Sequence, residues 1–238
     1  MLGSDKFEIR QLFEKESCTY TYLVWDKLTL EAVLIDAVAE TFSRDERIIK
    51  ELGLKLKYLF ETHVHADHIT SVSRFLDSSD YDVKAVYSKA SNLKQDGLVL
   101  LSDNDEIEVS KNLIFKFLST PGHTDCSGCF LLNNYVFTGD TLFIRGCGRT
   151  DFQQGSSENL YDSVHNKIFS LDNKTVILPG HDYKGEMLST VEEEKNHNPR
   201  LKTENTKAKF IEIMNSLNLA YPSKIDVALP ANKKLGRV

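Results

Sequence analysis

One short run limits the folds open to this chain more than anything else in it. Residues 62–68 read Thr-His-Val-His-Ala-Asp-His, so His63, His65, Asp67 and His68 place four metal-type ligands within six positions. Imidazole nitrogen and carboxylate oxygen suit Zn2+ and Fe2+. The preceding Leu56-Lys-Tyr-Leu-Phe-Glu61 reads as a strand that delivers the cluster to a loop. Strand ends hold a first ligand rigid, which is why metal sites are commonly built there. The competing reading, a polar loop with histidines by chance, fails because matching ligands recur downstream.

Three further ligand positions each follow an apolar strand. Leu118-Ser-Thr-Pro-Gly-His123 ends in a Pro-Gly turn and presents His123, Val136-Phe-Thr-Gly-Asp140 presents a carboxylate, and Val176-Ile-Leu-Pro-Gly-His181 presents another imidazole. Five of the seven histidines therefore occupy strand-end motifs, and only His165 and His197 fall outside them. By ligand count the site is binuclear. His63, His65 and His123 would hold one ion, and Asp67, His68 and His181 the other, with Asp140 bridging. Two ions about 3.5–4 Å apart suit hydrolysis by a bridging hydroxide.

The rest of the chain alternates strands and helices without a linker. Residues 7–13, 19–26 and 31–38 read as a strand meander, and 41–52 as a helix stopped by Gly53. A helix is expected to open at Asp67 and run to Leu76. Short strands are expected at 84–87, 106–109, 113–119 and 175–178, with a hairpin of 129–132 and 135–138 around Asn133-Asn134. Leu160, Val164, Ile168 and Leu171 recur at helical spacing within 156–171, and a late helix is expected over 210–217. Interleaved strands and helices imply an α/β protein with sheet layers covered by helices, read as a single domain over residues 1–238.

Composition excludes several classes. The chain has 238 residues, 41% hydrophobic and 27% charged, as in an ordinary globular protein. The 29 Lys and Arg against 35 Asp and Glu leave a net charge of −6, which argues against a nucleic-acid partner. No apolar run approaches the roughly 20 residues that span a bilayer. Asp5, Glu8, Glu14 and Glu16 argue against a secretory signal or an intact transit peptide. The expected compartment is a bacterial cytoplasm, or the mitochondrial matrix for a processed eukaryotic form. The four cysteines make no disulfide framework. Cys126-Ser-Gly-Cys129 has CxxC spacing but leads into a strand rather than a helix, so packing is preferred to a redox role.

Thr120-Pro-Gly-His-Thr, the 62–68 cluster and Thr138-Gly-Asp together resemble the metallo-β-lactamase superfamily over essentially the whole chain. The resemblance implies an αββα sandwich. It does not fix the reaction, because that fold hosts hydrolases, nucleases and oxidoreductases. Among hydrolases the nearest pattern is that of glyoxalase II, a thioester hydrolase acting on S-lactoylglutathione. That family carries a sizeable C-terminal helical domain, and the 57 residues 182–238 that follow His181 here are too few for its full version.

A longer segment points elsewhere. Gly139-Asp-Thr-Leu-Phe-Ile-Arg-Gly-Cys-Gly-Arg-Thr-Asp-Phe-Gln-Gln-Gly155 closely resembles the persulfide dioxygenase family. So do His181-Asp-Tyr183, Val191-Glu-Glu-Glu, Asn198-Pro-Arg-Leu201 and Val227-Ala-Leu-Pro-Ala-Asn232. This resemblance implies one Fe2+ per subunit, held by His63, His123 and Asp140, a two-His, one-carboxylate face with open positions for O2. His65, Asp67, His68 and His181 would then orient the ligands and tune the iron. It implies oxidation of glutathione persulfide by O2 and water to sulfite and glutathione, and it is compatible with a homodimer. Arg149 and Tyr183 match residues that contact glutathione in that family. The competing structural readings are a salt bridge of Arg149 with Asp151 and a core role for Tyr183. Cys147, inside the same signature, is either a persulfide acceptor or a packing residue, and packing is preferred. A non-catalytic metal-binding or redox-sensing module is the remaining alternative.

Overall fold

The computed structural model describes residues 2–238. Thirteen strands form two sheets. The first contains β1 (Leu2–Gly3), β2 (Phe7–Glu14), β3 (Thr19–Asp26), β4 (Glu31–Ile35), β5 (Lys55–Phe60), β6 (Lys84–Ser88) and β7 (Val99–Leu101), in sequence order. The second contains β8 (Glu106–Ser110), β9 (Leu113–Ser119), β10 (Gly128–Leu132), β11 (Tyr135–Gly139), β12 (Val176–Pro179) and β13 (Ser189–Thr190), again in order across the sheet. The expected hairpin forms from β10 and β11, with Asn133 in the left-handed region at φ +51°.

Alternating side chains explain the layering. One face of the first sheet sends Tyr22, Val33, Phe60 and Val86 against Phe115, Phe117, Phe130 and Phe137 of the second, and these fill the interior between the sheets. The other face buries Leu23, Leu34 and Leu59 under α1 (Phe42–Glu51), α2 (Val72–Leu76) and α6 (Ile225–Asn232). Cys129, Val136 and Ile177 on the outer face of the second sheet pack under α3 (Ser157–Ser163) and α5 (Lys207–Asn215), with Val191 of α4 (Val191–His197) beside them. The result is the αββα sandwich. No helix among the described residues is long and apolar enough to cross a membrane.

Strands β1, β7 and β13 and helices α4 and α6 have no counterpart in the sequence expectation, α5 starts at Lys207 rather than at 210, and two further helices differ in form. The helix expected from Asp67 begins only at Val72. The intervening backbone is taken by other partners: Ala39 donates to the Ile69 carbonyl, and Thr70 N–H donates to the Asn232 side chain. The amphipathic run after Ser156 starts as α3 and continues over Val164–Ile168 as a π-helical turn that keeps Val164 and Ile168 buried.

Candidate metal centre and cleft

Topology gathers the predicted ligands along one edge. Strands β4 and β5 run parallel, as do β11 and β12, so Asp36, His63, Asp140 and His181 leave their strands in a common direction. β3 closes the gap between the sheets: Tyr20 N–H donates to the Gly180 carbonyl at 2.8 Å. Gly139 makes the junction possible. Its φ is +48°, and a Cβ there would lie 2.6 Å from the Thr62 Cβ, so only glycine lets Asp140 approach the His63 loop.

His63, His123 and Asp140 offer ligand atoms that all lie within 4.8 Å of one another. Hydrogen bonds select which nitrogens face the group. The Thr62 hydroxyl donates to Asp36 Oδ2 at 2.9 Å, so its lone pair accepts the His63 Nδ1–H at 3.0 Å. The His123 Nδ1–H donates to the Arg149 carbonyl at 2.7 Å. Both imidazoles therefore present Nε2 lone pairs beside the Asp140 carboxylate. Burial, helped by neighbouring His65 and His123, pushes His63 well below the usual histidine range, which keeps it a neutral donor.

The remaining predicted residues form the adjoining wall. His65 Nε2–H donates to Asp36 Oδ1 at 3.2 Å with Glu61 Oε2 at 3.5 Å, and His68 Nδ1–H donates to Asp67 Oδ2 at 2.8 Å. His181 Nδ1–H donates to the Ser17 carbonyl at 3.1 Å, leaving Nε2 3.4 Å from both Asp67 Oδ2 and Asp140 Oδ1. Burial raises the Glu61 carboxyl to about 8, and Asp36 adds to the shift. For Asp67, burial acts upward, but His68 and His181 outweigh it and hold the carboxyl well below the usual range. His65 Nδ1, His68 Nε2 and Asp140 Oδ1 are buried with no hydrogen-bond partner. Orphaned lone pairs of this kind are costly to leave unmatched, and all three suit a cation. The donor set thus fits a metal ion of the N/O class. The distances alone accommodate one ion at the first group, and His65, Asp67 and His68 form a second group with ligand atoms within 4.8 Å.

Several residues that build this site were missed in the sequence. Asp36, with φ +52°, fixes both the His63 and the His65 orientation. It follows the apolar strand β4, the same pattern that exposed His123, so the signal was present. Buried Asn232 donates to the His65 and His68 carbonyls at 2.8 Å each, and only its place in the quoted Val227–Asn232 stretch marked it.

A cleft of about 560 Å3 opens beside Asp140, His123 and His181 and is walled by Phe143, Ile144 and Leu219. Tyr183 stands at its rim, 69% exposed and stacked on His181 with ring centroids 5.9 Å apart, so it is not a core aromatic. Arg149 lines the cleft, but its guanidinium forks onto Asp151 at 2.6 and 2.7 Å, gives its third donor to the Ala220 carbonyl and lies over the Phe152 ring. The salt-bridge reading therefore describes its geometry. Cys147 is buried, its thiol pushed up to about 11 by burial, and it packs 3.9 Å from the Met214 sulfur. Cys126 and Cys129 are buried free thiols.

This sandwich, with imidazole and carboxylate ligands at converging strand ends, is that of the metallo-β-lactamase superfamily. The family model for that superfamily matches residues 19–181, and the chain belongs to it. The chain is 48% identical over 230 residues to the mitochondrial persulfide dioxygenase ETHE1 of Bos taurus, covering 96% of this chain and 88% of that protein. The crystal structure of ETHE1 from Myxococcus xanthus superposes with a TM-score of 0.90 at 47% identity, covering 96% of this chain and 99% of that one. The chain is therefore a member of the persulfide dioxygenase family. Hydroxyacylglutathione hydrolase of Francisella philomiragia is more distant, at 36% identity over 69% of this chain and 63% of that protein.

Proposed function

We propose that this chain oxidises glutathione persulfide and that it does so with a single Fe2+ held by His63 Nε2, His123 Nε2 and Asp140. The observation that carries the reading is the pair of Nδ1 anchors, which aims two imidazole Nε2 atoms and one carboxylate at a common point. Bound there, Fe2+ supplies a redox-active Lewis acid with open positions suited to O2 chemistry. The reaction is GSSH + O2 + H2O → GSH + sulfite + two protons. The terminal sulfur loses four electrons, O2 gains them, and water supplies the third sulfite oxygen.

The chain's own residues position this chemistry. Thr62 and the Arg149 carbonyl hold the His63 and His123 rings, while His65, Asp67, His68 and His181 form the surrounding polar wall, with His181 3.4 Å from Asp140. Phe143, Ile144 and Leu219 give the cleft an apolar wall. The Tyr183 hydroxyl and Arg149 lie where the body of a tripeptide would pass, with Arg149 available once its Asp151 pair opens. Four free thiols suit a reducing compartment, a bacterial cytoplasm or the mitochondrial matrix.

Anaerobic Fe2+ loading followed by product analysis tests the proposal. One iron per chain, with sulfite and glutathione formed in equal amounts, is the expected result. Two bound metals, with lactate released from S-lactoylglutathione, would replace it with the hydrolase reading.

A further inference from the structure

We propose that a second cavity, separate from the cleft, admits O2 to the metal centre, with the Gln153 side chain as its gate. The inference rests on the reading above that a persulfide occupies the cleft while O2 is consumed. This cavity measures about 660 Å3 and shares Phe152, Gln153 and Ile225 with the cleft, so these three residues form a partition between the two.

The loops that carry the metal ligands have the cleft on one side and this cavity on the other. The His63 loop turns Ala66 and Asp67 to the cleft and Val64 to the cavity. The His123 loop turns His123 to the cleft and Asp125 and Cys126 to the cavity. The cavity therefore reaches the ligand loops from a side that a persulfide entering beside Tyr183 does not use. O2 following that substrate through the cleft mouth would meet an occupied passage.

The inner wall of the cavity is apolar. Val64, Leu93 and Cys126 are buried and Leu229 is half-buried, whereas Lys94 and Lys233 are exposed at the mouth. An apolar wall favours a small unhydrated molecule, and apolar cavities in proteins take up xenon for this reason. A charged tripeptide persulfide would lose its hydration there without compensation. The two substrates are thus sorted by polarity.

The partition is held lightly. Gln153 and Gln154 both lie in the left-handed region, at φ +47° and +55°, which strains a residue that carries a side chain. Gln153 Nε2 donates to the Val64 carbonyl at 2.8 Å, and the Gln153 carbonyl accepts the Asp125 N–H at a long 3.3 Å. One side-chain hydrogen bond closes the partition against the His63 loop. Its release joins the cavity to the part of the cleft beside Ala66 and His123.

The test uses Leu229→Trp and Leu93→Trp, which fill the cavity from two different elements, and Gln153→Ala, which removes the gate's bond. Crystals of the unsubstituted protein under xenon pressure should show xenon among Val64, Leu93 and Leu229. Nitric oxide then serves as an O2-sized probe, added to Fe2+-loaded protein saturated with glutathione. Its association should slow by about fivefold or more in either Trp variant and quicken in Gln153→Ala, and kcat/KM for O2 should fall with it while kcat/KM for glutathione persulfide stays within about twofold. A cavity free of xenon, or unchanged nitric oxide and O2 kinetics in a folded Trp variant, would overturn the proposal. So would a loss shared equally by O2 and persulfide. If the unsubstituted protein consumes no O2 with glutathione persulfide, the substrate reading fails instead, while xenon and nitric oxide still decide the role of the cavity.

Discussion

Asp36 grips Thr62 through both carboxylate oxygens, accepting the backbone N–H at 2.8 Å and the hydroxyl at 2.9 Å. The second bond turns the Thr62 lone pair toward His63 Nδ1, so a residue remote from the cleft decides which His63 nitrogen faces the metal centre. Asp36→Asn replaces an acceptor by an amide donor and breaks that chain. Iron affinity should fall by about 10–100-fold, the usual effect of losing a ligand's supporting partner. Competition against a chromophoric chelator measures it, and Thr62→Val should reproduce it. Wild-type affinity in both variants would mean that His63 needs no such support.

Asn232 does for the loop backbone what Asp36 does for the side chains. Its amide donates to the His65 and His68 carbonyls and its oxygen accepts the Thr70 N–H. Asn232→Ala leaves three buried backbone groups unmatched, at a cost of about 2–4 kcal/mol. Denaturant unfolding should show that loss. A change below about 0.5 kcal/mol, the range of an ordinary surface substitution, would mean that water satisfies the loop.

What was legible in the sequence was whatever sits at the end of an apolar strand. His63, His123, Asp140 and His181 announced themselves this way, because a strand reads by its alternation and its terminus reads by the polar residue that breaks it. The sandwich layers were legible for the same reason. Partners supplied across the fold were not. Asn232 lies 164 residues from His68, and nothing local to Arg200 shows that its side chain reaches Cys147. The delayed start of α2 was hidden too, since residues 67–71 have helical periodicity but spend their backbone bonds on Ala37, Ala39 and Asn232. The pairing of Arg149 with Asp151 was legible as the competing reading, because the two residues stand two apart in one short loop and carry opposite charge.

Gly148 is a second tight point. A Cβ at this position would stand 2.8 Å from His123 Nδ1 and closer still to the Asp140 carbonyl. Gly148→Ala should therefore push the 146–149 loop away and weaken the Arg149 carbonyl bond that fixes the His123 ring. Iron stoichiometry should drop, while the free energy of unfolding falls by no more than about 1–3 kcal/mol, the cost of overpacking. Full iron binding with normal turnover would show that the loop yields freely.

Asp26 joins the two sheets by accepting from Ser110 and Asn112 and from the Leu28 and Thr29 N–H groups. Burial acts to raise its carboxyl, but these bonds prevail and hold it below the usual range. A depressed folded value means stability that is present above the unfolded value, about 3.9, and lost as pH falls through the folded one. Asp26→Asn should cost about 1–3 kcal/mol at pH 7, with the gap from wild type closing as pH falls below about 4. A gap that stays constant down to about pH 2 would contradict the assignment.

The most direct test of the account is oxygen uptake by the Fe2+-loaded protein given glutathione persulfide, compared with Asp140→Ala treated identically. The account predicts rapid uptake matched mole for mole by sulfite in the unsubstituted protein, and loss of both iron and uptake in the variant. No uptake with iron confirmed bound, or stoichiometric iron retained by the variant, would contradict it.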